Sequence, residues 1–149
     1  MNCISKDLAE IKVSYHPKKS SSVQIGSSHS AQEVLRSLFD PDIIQLREEF
    51  LVLYLNRSNY VLGWSKISSG GLTGTVADPR LILGIALKSA AVSIILCHNH
   101  PSGNTKPSNA DREITDKLKE AGRYMDINIL DHIILTDTNY LSFADEGLI

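Results

Sequence analysis

The sequence predicts an α/β domain built on a mixed β-sheet that is flanked by helices. Strand-like apolar runs alternate along the chain with segments that have the spacing of amphipathic helices, which is typical of α/β proteins. One pair of strand-like runs is separated only by a short turn signal, which predicts a hairpin and hence an antiparallel pair. The 149 residues, 42% of them hydrophobic, are enough for one domain with a substantial core.

The N-terminal part of the sequence differs in composition from the rest. Residues 10–16 alternate weakly between apolar and polar types and predict a short strand. Pro17 and the Lys-Lys-Ser-Ser-Ser run at 18–22 predict a linker. We therefore divide the chain into an N-terminal strand and linker segment, residues 1–26, and a main domain, residues 27–149.

The first helix of the main domain is predicted from a capping signal. Ser30 is followed three residues later by Glu33, which is the spacing of a capping box, and Leu35 and Leu38 follow at helical spacing. Pro41 should end this helix because proline cannot continue a helical hydrogen-bond ladder.

The predicted hairpin comes next. Residues 48–56 are rich in β-forming types, the turn signal lies at 57–59, and a partner strand follows at 60–68. The glycine-punctuated segment 70–75 predicts an irregular edge or a loop.

Alternating helices and strands complete the domain. Asp78 and Pro79 are typical of the N-cap and the first residue of a helix, which we expect to run to about Ala91. The remaining predicted elements are a buried strand, a helix and two further strands, at residues 91–100, from 108 onward, at 127–135 and at 139–143.

Composition excludes several classes of protein. The formal net charge of −2 argues against a strongly basic nucleic-acid binder. Cys3 and Cys97 are too few for a disulfide framework and favour a reducing compartment. The longest apolar stretch, at 81–97, is interrupted by Lys88 and Ser89 and is short for a membrane span. The sequence therefore predicts a soluble cytoplasmic protein without a membrane partner.

The chemistry-bearing residues are concentrated after the predicted buried strand. His98 and His100 lie two apart, so their side chains face the same side at the strand end. With Asp111 they would form a three-ligand zinc site that leaves a fourth position for water. A second interpretation is simpler: the His-x-His pair is a coincidence, and Ser108 and Asp111 only cap the next helix. Both can hold together, because the cap would fix the direction of the carboxylate.

The segment His98-Asn99-His100-Pro101-Ser102-Gly103, with Pro107-Ser108 and Asp111, resembles the JAMM motif of MPN-type metalloproteases. The exact sequence of the segment 98–103, together with residues 78–80, 131–132 and 142–143, resembles that of the bacterial RadC family. The resemblance extends from about Ser30 to the C-terminus. The resemblance implies a JAB/MPN domain with a cytidine-deaminase-like architecture.

The resemblance also implies a role for individual residues. His98, His100 and Asp111 match the metal ligands, for one Zn²⁺ per chain, and Ser108 matches a serine that stabilises the oxyanion. The motif further needs an upstream glutamate that holds and deprotonates the attacking water, and Glu48 supplies it.

The sequence offers two adjacent glutamates for that position. Glu48 and Glu49 should point to opposite faces of a strand, so only one of them can reach the metal, and we choose Glu48. Cys97 should point away from the site into the core. The role of Asp131 stays open, and His132 can either support a ligand or simply pack.

These residues predict a JAMM-type metallopeptidase or isopeptidase that acts on a peptide or protein substrate. The segment 70–75 is a candidate edge along which an extended substrate could add. Two alternatives remain: a DNA-repair or mobile-element accessory protein, for which DNA association rests on family analogy alone, and a non-catalytic MPN scaffold.

Overall fold

A computed structural model of the protein describes residues 8–12, 14–16, 23–71 and 74–149. Cys3 and the predicted linker at 17–22 lie outside these ranges. Helices and strands alternate within them, in the order α1 Ser28–Leu38, β1 Glu49–Leu55, β2 Val61–Ser69, α2 Pro79–Lys88, β3 Ser93–Asn99, α3 Asn109–Tyr124, β4 Asn128–Leu135 and β5 Tyr140–Ser142.

The strands form one mixed sheet, which confirms the predicted fold class. The spatial order is β2-β1-β3-β4-β5, with β3 and β4 parallel and the other pairs antiparallel. A parallel pair needs a crossover connection, and α3 provides it between β3 and β4. The predicted hairpin is the β1–β2 pair.

A hydrophobic core lies on each face of the sheet, and strand alternation decides which residues join which core. Leu53 and Cys97 pack with Leu35 of α1 on one face. Val52 and Leu96, their chain neighbours, pack on the other face with residues of α2 and α3. His98 and Phe50 are register partners, and Phe50 belongs to this second core. The end of β3 therefore delivers His98 to the α3 side of the sheet.

Helix α1 begins earlier than the sequence predicts. Its N-cap is Ser27, which has an extended backbone. The Ser27 hydroxyl accepts the Ser30 amide, and the Ser30 hydroxyl accepts the Ser27 amide. The capping box predicted at Ser30 and Glu33 is therefore wrong. The capping box lies at Ser27 and Ser30, whose side chains satisfy backbone amides at the start of the helix. The helix ends at Leu38, before Pro41, as predicted.

Two other elements differ from expectation. Helix α2 ends at Lys88 because Ala90 adopts a left-handed conformation, with φ 55°, that no helix continues. Residues 10–12 and 14–16 form no strand; Tyr15 instead donates its hydroxyl to the Leu62 carbonyl of β2.

None of the helices in the described ranges is long and apolar enough to cross a membrane.

Candidate metal centre

Three potential metal ligands meet where β3 ends and α3 begins. One ligand atom from each of His98, His100 and Asp111 lies within 4.8 Å of the others. The two Nε2 atoms are 2.9 Å apart, and they lie 3.2 Å and 3.6 Å from the Asp111 carboxylate oxygens. Two imidazole nitrogens and a carboxylate match the donor set of a zinc site with an open position.

The start of α3 fixes the direction of the Asp111 carboxylate. Ser108 is the N-cap: its hydroxyl accepts the Asp111 amide at 3.1 Å, and its own amide donates to Asp111 Oδ2 at 2.7 Å. The capping interpretation and the metal-site interpretation are therefore compatible in one geometry. The Ser108 hydroxyl accepts in this bond, so its hydrogen can be donated to another acceptor in the cleft that it lines with His100.

The protonation pattern of His100 follows from its partner. His100 Nδ1 lies 2.6 Å from the carbonyl oxygen of Asn104, which can only accept, so Nδ1 carries the proton. The Nε2 lone pair of the neutral ring is thereby directed at His98 and Asp111. This orientation suits metal ligation, since a ligating histidine commonly donates its other N–H to a carbonyl or carboxylate.

Charges within the cluster stabilise one another. Burial raises the pKa of the Asp111 carboxyl, but its contacts with His100 and His98 outweigh burial and hold the pKa well below its usual range. Burial likewise lowers the pKa of His100, yet Asp111 and the Asn104 carbonyl raise it overall. The cluster thus combines an ionised carboxylate with imidazoles that attract positive charge, which fits a divalent cation.

Glu48 immediately precedes β1 and faces the same cleft. It lines this cleft with Asp111 and Thr75, and the Thr75 amide donates to its carboxylate. Burial raises the pKa of Glu48, while the nearby imidazoles of His98 and His100 oppose that rise. Glu48 therefore lies beside the three candidate ligands without being one of them.

Glu49 points to the other face of the sheet. Only 1% of its surface is exposed, and its carboxylate contacts Lys66 Nζ at 3.0 Å, Ser69 Oγ at 3.3 Å and Arg47 Nε at 3.6 Å. Strand alternation thus separates the two glutamates as the sequence predicts.

Asn99, between the two histidines, has a role that sequence reasoning missed. Its side chain accepts the Glu49 amide at 2.7 Å and donates to the carbonyls of Ile44 and Arg47 at 2.7 and 2.9 Å. These bonds tie the segment before Glu48 to the strand that carries the histidines. Nothing in the sequence beyond its place in the His-Asn-His segment signals this contact.

His132 lies behind His98, at the back of the cluster. It is fully buried, with Nε2 at 2.8 Å from His98 Nδ1 and Nδ1 at 2.7 Å from Thr115 Oγ1. Burial is the largest cause that holds the pKa of His132 well below its usual value, and it favours the neutral ring. The ring packs between Phe50 and Phe143, at centroid distances of 5.6 and 4.7 Å.

Asp131, whose role the sequence left open, supports the backbone around His132. Its carboxylate accepts the amides of His132 and Ala144 and the hydroxyl of Ser142 at 2.7, 3.0 and 2.6 Å. Asp131 thus holds β4 to the turn after β5. Cys97 is completely buried in the opposite core, as predicted, and burial raises the pKa of its thiol.

The glycine-rich segment after β2 contacts Glu48 directly. The Gly70 amide donates to the Glu48 carbonyl at 2.7 Å, and the Glu48 amide donates to the Gly71 carbonyl at 3.2 Å. The segment does pass the cluster, as the sequence suggests, but these backbone groups are already paired within the chain. An extended substrate would have to use other backbone groups; residues 72–73 of the predicted edge lie outside the described ranges.

Comparisons with known proteins match this chain to one family. A family model described as a RadC-like JAB domain matches residues 25–148. A UPF0758 protein of Flavobacterium johnsoniae is 43% identical over 138 residues, which cover 85% of this chain and 60% of that protein. A UPF0758 protein of Syntrophomonas wolfei is 44% identical over 126 residues, or 84% of this chain and 54% of that protein. The chain spans about half the length of these curated relatives.

Proposed function

Because this chain belongs to the family of RadC-like JAB domains, we propose that it is a zinc-dependent hydrolase of peptide or isopeptide bonds. One observation carries the proposal: the ligand atoms of His98, His100 and Asp111 converge beside a cleft that Glu48 lines together with His100 and Asp111. A protein that used this fold only as a scaffold would need neither the ligand set nor the adjacent carboxylate.

Each residue of the cluster has a task in this proposal. Nε2 of His98, Nε2 of His100 and the Asp111 carboxylate would hold one Zn²⁺ per chain. Zinc held there would supply Lewis-acid chemistry: it would make the attacking water more acidic and polarise the scissile carbonyl.

Glu48 acts as the general base and then as the general acid. It accepts the proton of the attacking water as the water oxygen bonds to the carbonyl carbon, and it returns that proton to the leaving nitrogen when the C–N bond breaks. Burial favours this role because it raises the pKa of Glu48 above its usual value. The products are a carboxylic acid and an amine, so the balance requires only water.

Ser108 stabilises the developing oxyanion. Its hydroxyl lies in the cleft beside His100, and its hydrogen is available because the cap uses the oxygen as an acceptor. A donor already oriented toward the oxyanion stabilises the transition state more than the ground state.

The alternative function, that of a DNA-repair or mobile-element accessory protein, gains no support from the net charge of −2.

The metal site is tested by the zinc content of the purified protein. We expect one Zn²⁺ per chain in the wild type and none in the His98→Ala, His100→Ala double variant, since a single carboxylate binds zinc weakly. Full zinc content in the double variant would contradict the ligand assignment.

The assignment of the base is tested by two glutamate variants, with fluorogenic peptides and an isopeptide-linked lysine as substrates. Glu48→Gln should keep its zinc and lose hydrolysis, because an amide cannot accept the proton. Glu49→Gln is the matched control and should hydrolyse normally when folded. The reverse result would mean that Glu49, and not Glu48, serves as the base.

A further inference from the structure

A continuous chain of hydrogen bonds joins one candidate ligand to the backbone of another. His98 Nδ1 lies 2.8 Å from His132 Nε2, and His132 Nδ1 lies 2.7 Å from Thr115 Oγ1. Thr115 Oγ1 in turn lies 2.6 Å from the carbonyl oxygen of Asp111. His98, His132 and Thr115 are each at most 1% exposed, so the bonds between them form out of contact with solvent.

The donor and the acceptor of each hydrogen bond in this series follow from its last member, the Asp111 carbonyl. The Asp111 carbonyl can only accept, so Thr115 donates its one hydroxyl hydrogen there. Thr115 must then accept from His132 Nδ1. The His132 ring is fully buried, and among the described residues its nitrogens contact only Thr115 and His98, with no carboxylate to stabilise a charge, so the ring carries one proton and that proton is on Nδ1. His132 Nε2 is therefore an acceptor, and His98 Nδ1 donates to it.

This direction has a consequence for His98. With its proton on Nδ1, His98 presents the Nε2 lone pair to His100 and Asp111, where a cation would bind. The opposite direction would place a proton on His98 Nε2 and would leave the Asp111 carbonyl without the Thr115 hydroxyl. A cation and that proton would compete for the same atom.

Resting on the proposed metal site, we propose that His132 and Thr115 are positioning residues that fix His98 in the Nδ1-protonated form and so prepare Nε2 for the metal. His100 reaches the same form through the Asn104 carbonyl. The two ligands are therefore oriented independently, one by the backbone after β3 and the other by side chains of α3 and β4. Phe50 and Phe143 pack against both sides of the His132 ring and exclude water. Water could otherwise form hydrogen bonds with the ring nitrogens in place of His98 and Thr115.

Two substitutions at Thr115 separate the hydroxyl from its packing. Thr115→Val has nearly the same shape but no hydroxyl, whereas Thr115→Ser keeps the hydroxyl and loses only a methyl group. Removing an outer partner of a metal-ligating histidine typically weakens metal affinity by about 10–100-fold. We expect a loss of this size in Thr115→Val, measured by chelator competition for Zn²⁺, and near wild-type affinity in Thr115→Ser.

Nuclear magnetic resonance of the full chain gives a readout that packing alone would not change. Long-range proton–nitrogen correlations in ¹⁵N-histidine-labelled protein should show protonated Nδ1 on both His98 and His132, with and without zinc. An unprotonated Nδ1 on His98, or unchanged zinc affinity in a folded Thr115→Val variant, would overturn the inference. A wild-type protein that binds no zinc would instead contradict the proposed function, while the metal-free spectra would still test the hydrogen-bond direction.

Discussion

The Ser108 hydroxyl accepts the Asp111 amide at the start of α3, and it also lines the cleft. One atom therefore takes part in two separable effects. As a cap it stabilises the helix and orients the Asp111 carboxylate. As a donor in the proposed reaction it would contribute only when an oxyanion forms.

Two substitutions at Ser108 separate these effects. Alanine at an N-cap costs about 1 kcal/mol of stability, whereas glycine costs only a few tenths. Both lack the hydroxyl, so both should lower kcat by about 100- to 1,000-fold, as for the loss of another oxyanion donor. Urea unfolding and kcat measured on the same preparations check this expectation. Wild-type kcat in Ser108→Gly would exclude the donor role.

At the scale of elements, the site depends on a close approach between the glycine-rich segment and the start of β1. A Cβ atom on Gly70 would lie 2.0 Å from the carbonyl oxygen of Gly74, whereas a Cβ on Gly71 would meet open space. The same segment continues to Thr75, whose amide bonds the Glu48 carboxylate. The absence of a side chain at Gly70 therefore lets Gly74 and Thr75 approach it closely, which brings Thr75 to Glu48.

Alanine at these two glycines provides a matched comparison. Gly70→Ala should displace the segment and lower the rate of hydrolysis without loss of zinc, because the ligands lie on other elements. Gly71→Ala should behave like the wild type in both respects. Kinetics and zinc analysis of both variants check this; equal effects of the two alanines would show that the close approach is unimportant.

Much of the architecture could be predicted from local patterns, because periodicity and capping are properties of short segments. The β1–β2 hairpin, the Asp78 cap of α2 and the Ser108 cap of α3 all follow from adjacent residues. The start of α1 could not be placed as well, since two serine-led capping patterns compete there and only the extended backbone of Ser27 decides between them.

The position of His132 behind His98 could not be predicted from the local sequence pattern. The pairing of β3 with β4 shifts register between Ile94 and Ile95, opposite Ile129 and Asp131. Ile129 and His132 therefore both lie on the α3 side although they are three residues apart, which simple strand alternation would not allow. The contacts of Asn99 with Ile44 and Arg47 likewise join residues about fifty positions apart.

At the scale of the whole molecule, the predicted division between residues 26 and 27 stays a prediction, and Ile25 gives it a direct test. Ile25 is buried against the α1 core, and its amide donates to the Asn59 carbonyl. A chain of residues 23–149 keeps these contacts, whereas a chain of 27–149 loses them.

We expect the shorter chain to be the less stable of the two. Truncating a buried isoleucine typically costs about 2–5 kcal/mol, so 27–149 should unfold at lower urea than 23–149. Ile25→Ala in the full chain is the matched control and should show most of the same loss. Equal stability of the two truncated chains would support the predicted boundary.

The described N-terminal residues also contact the start of β2, the long strand at one end of the sheet. The Val61 amide donates to the Val23 carbonyl, and Tyr15 donates to the Leu62 carbonyl. An uncovered strand of nine residues is a template for another copy of the same strand, and Trp64 would add an exposed aromatic ring to that edge. These N-terminal contacts thus also act against edge-to-edge aggregation at the start of β2, so a chain trimmed for crystallisation should keep both Tyr15 and Val23.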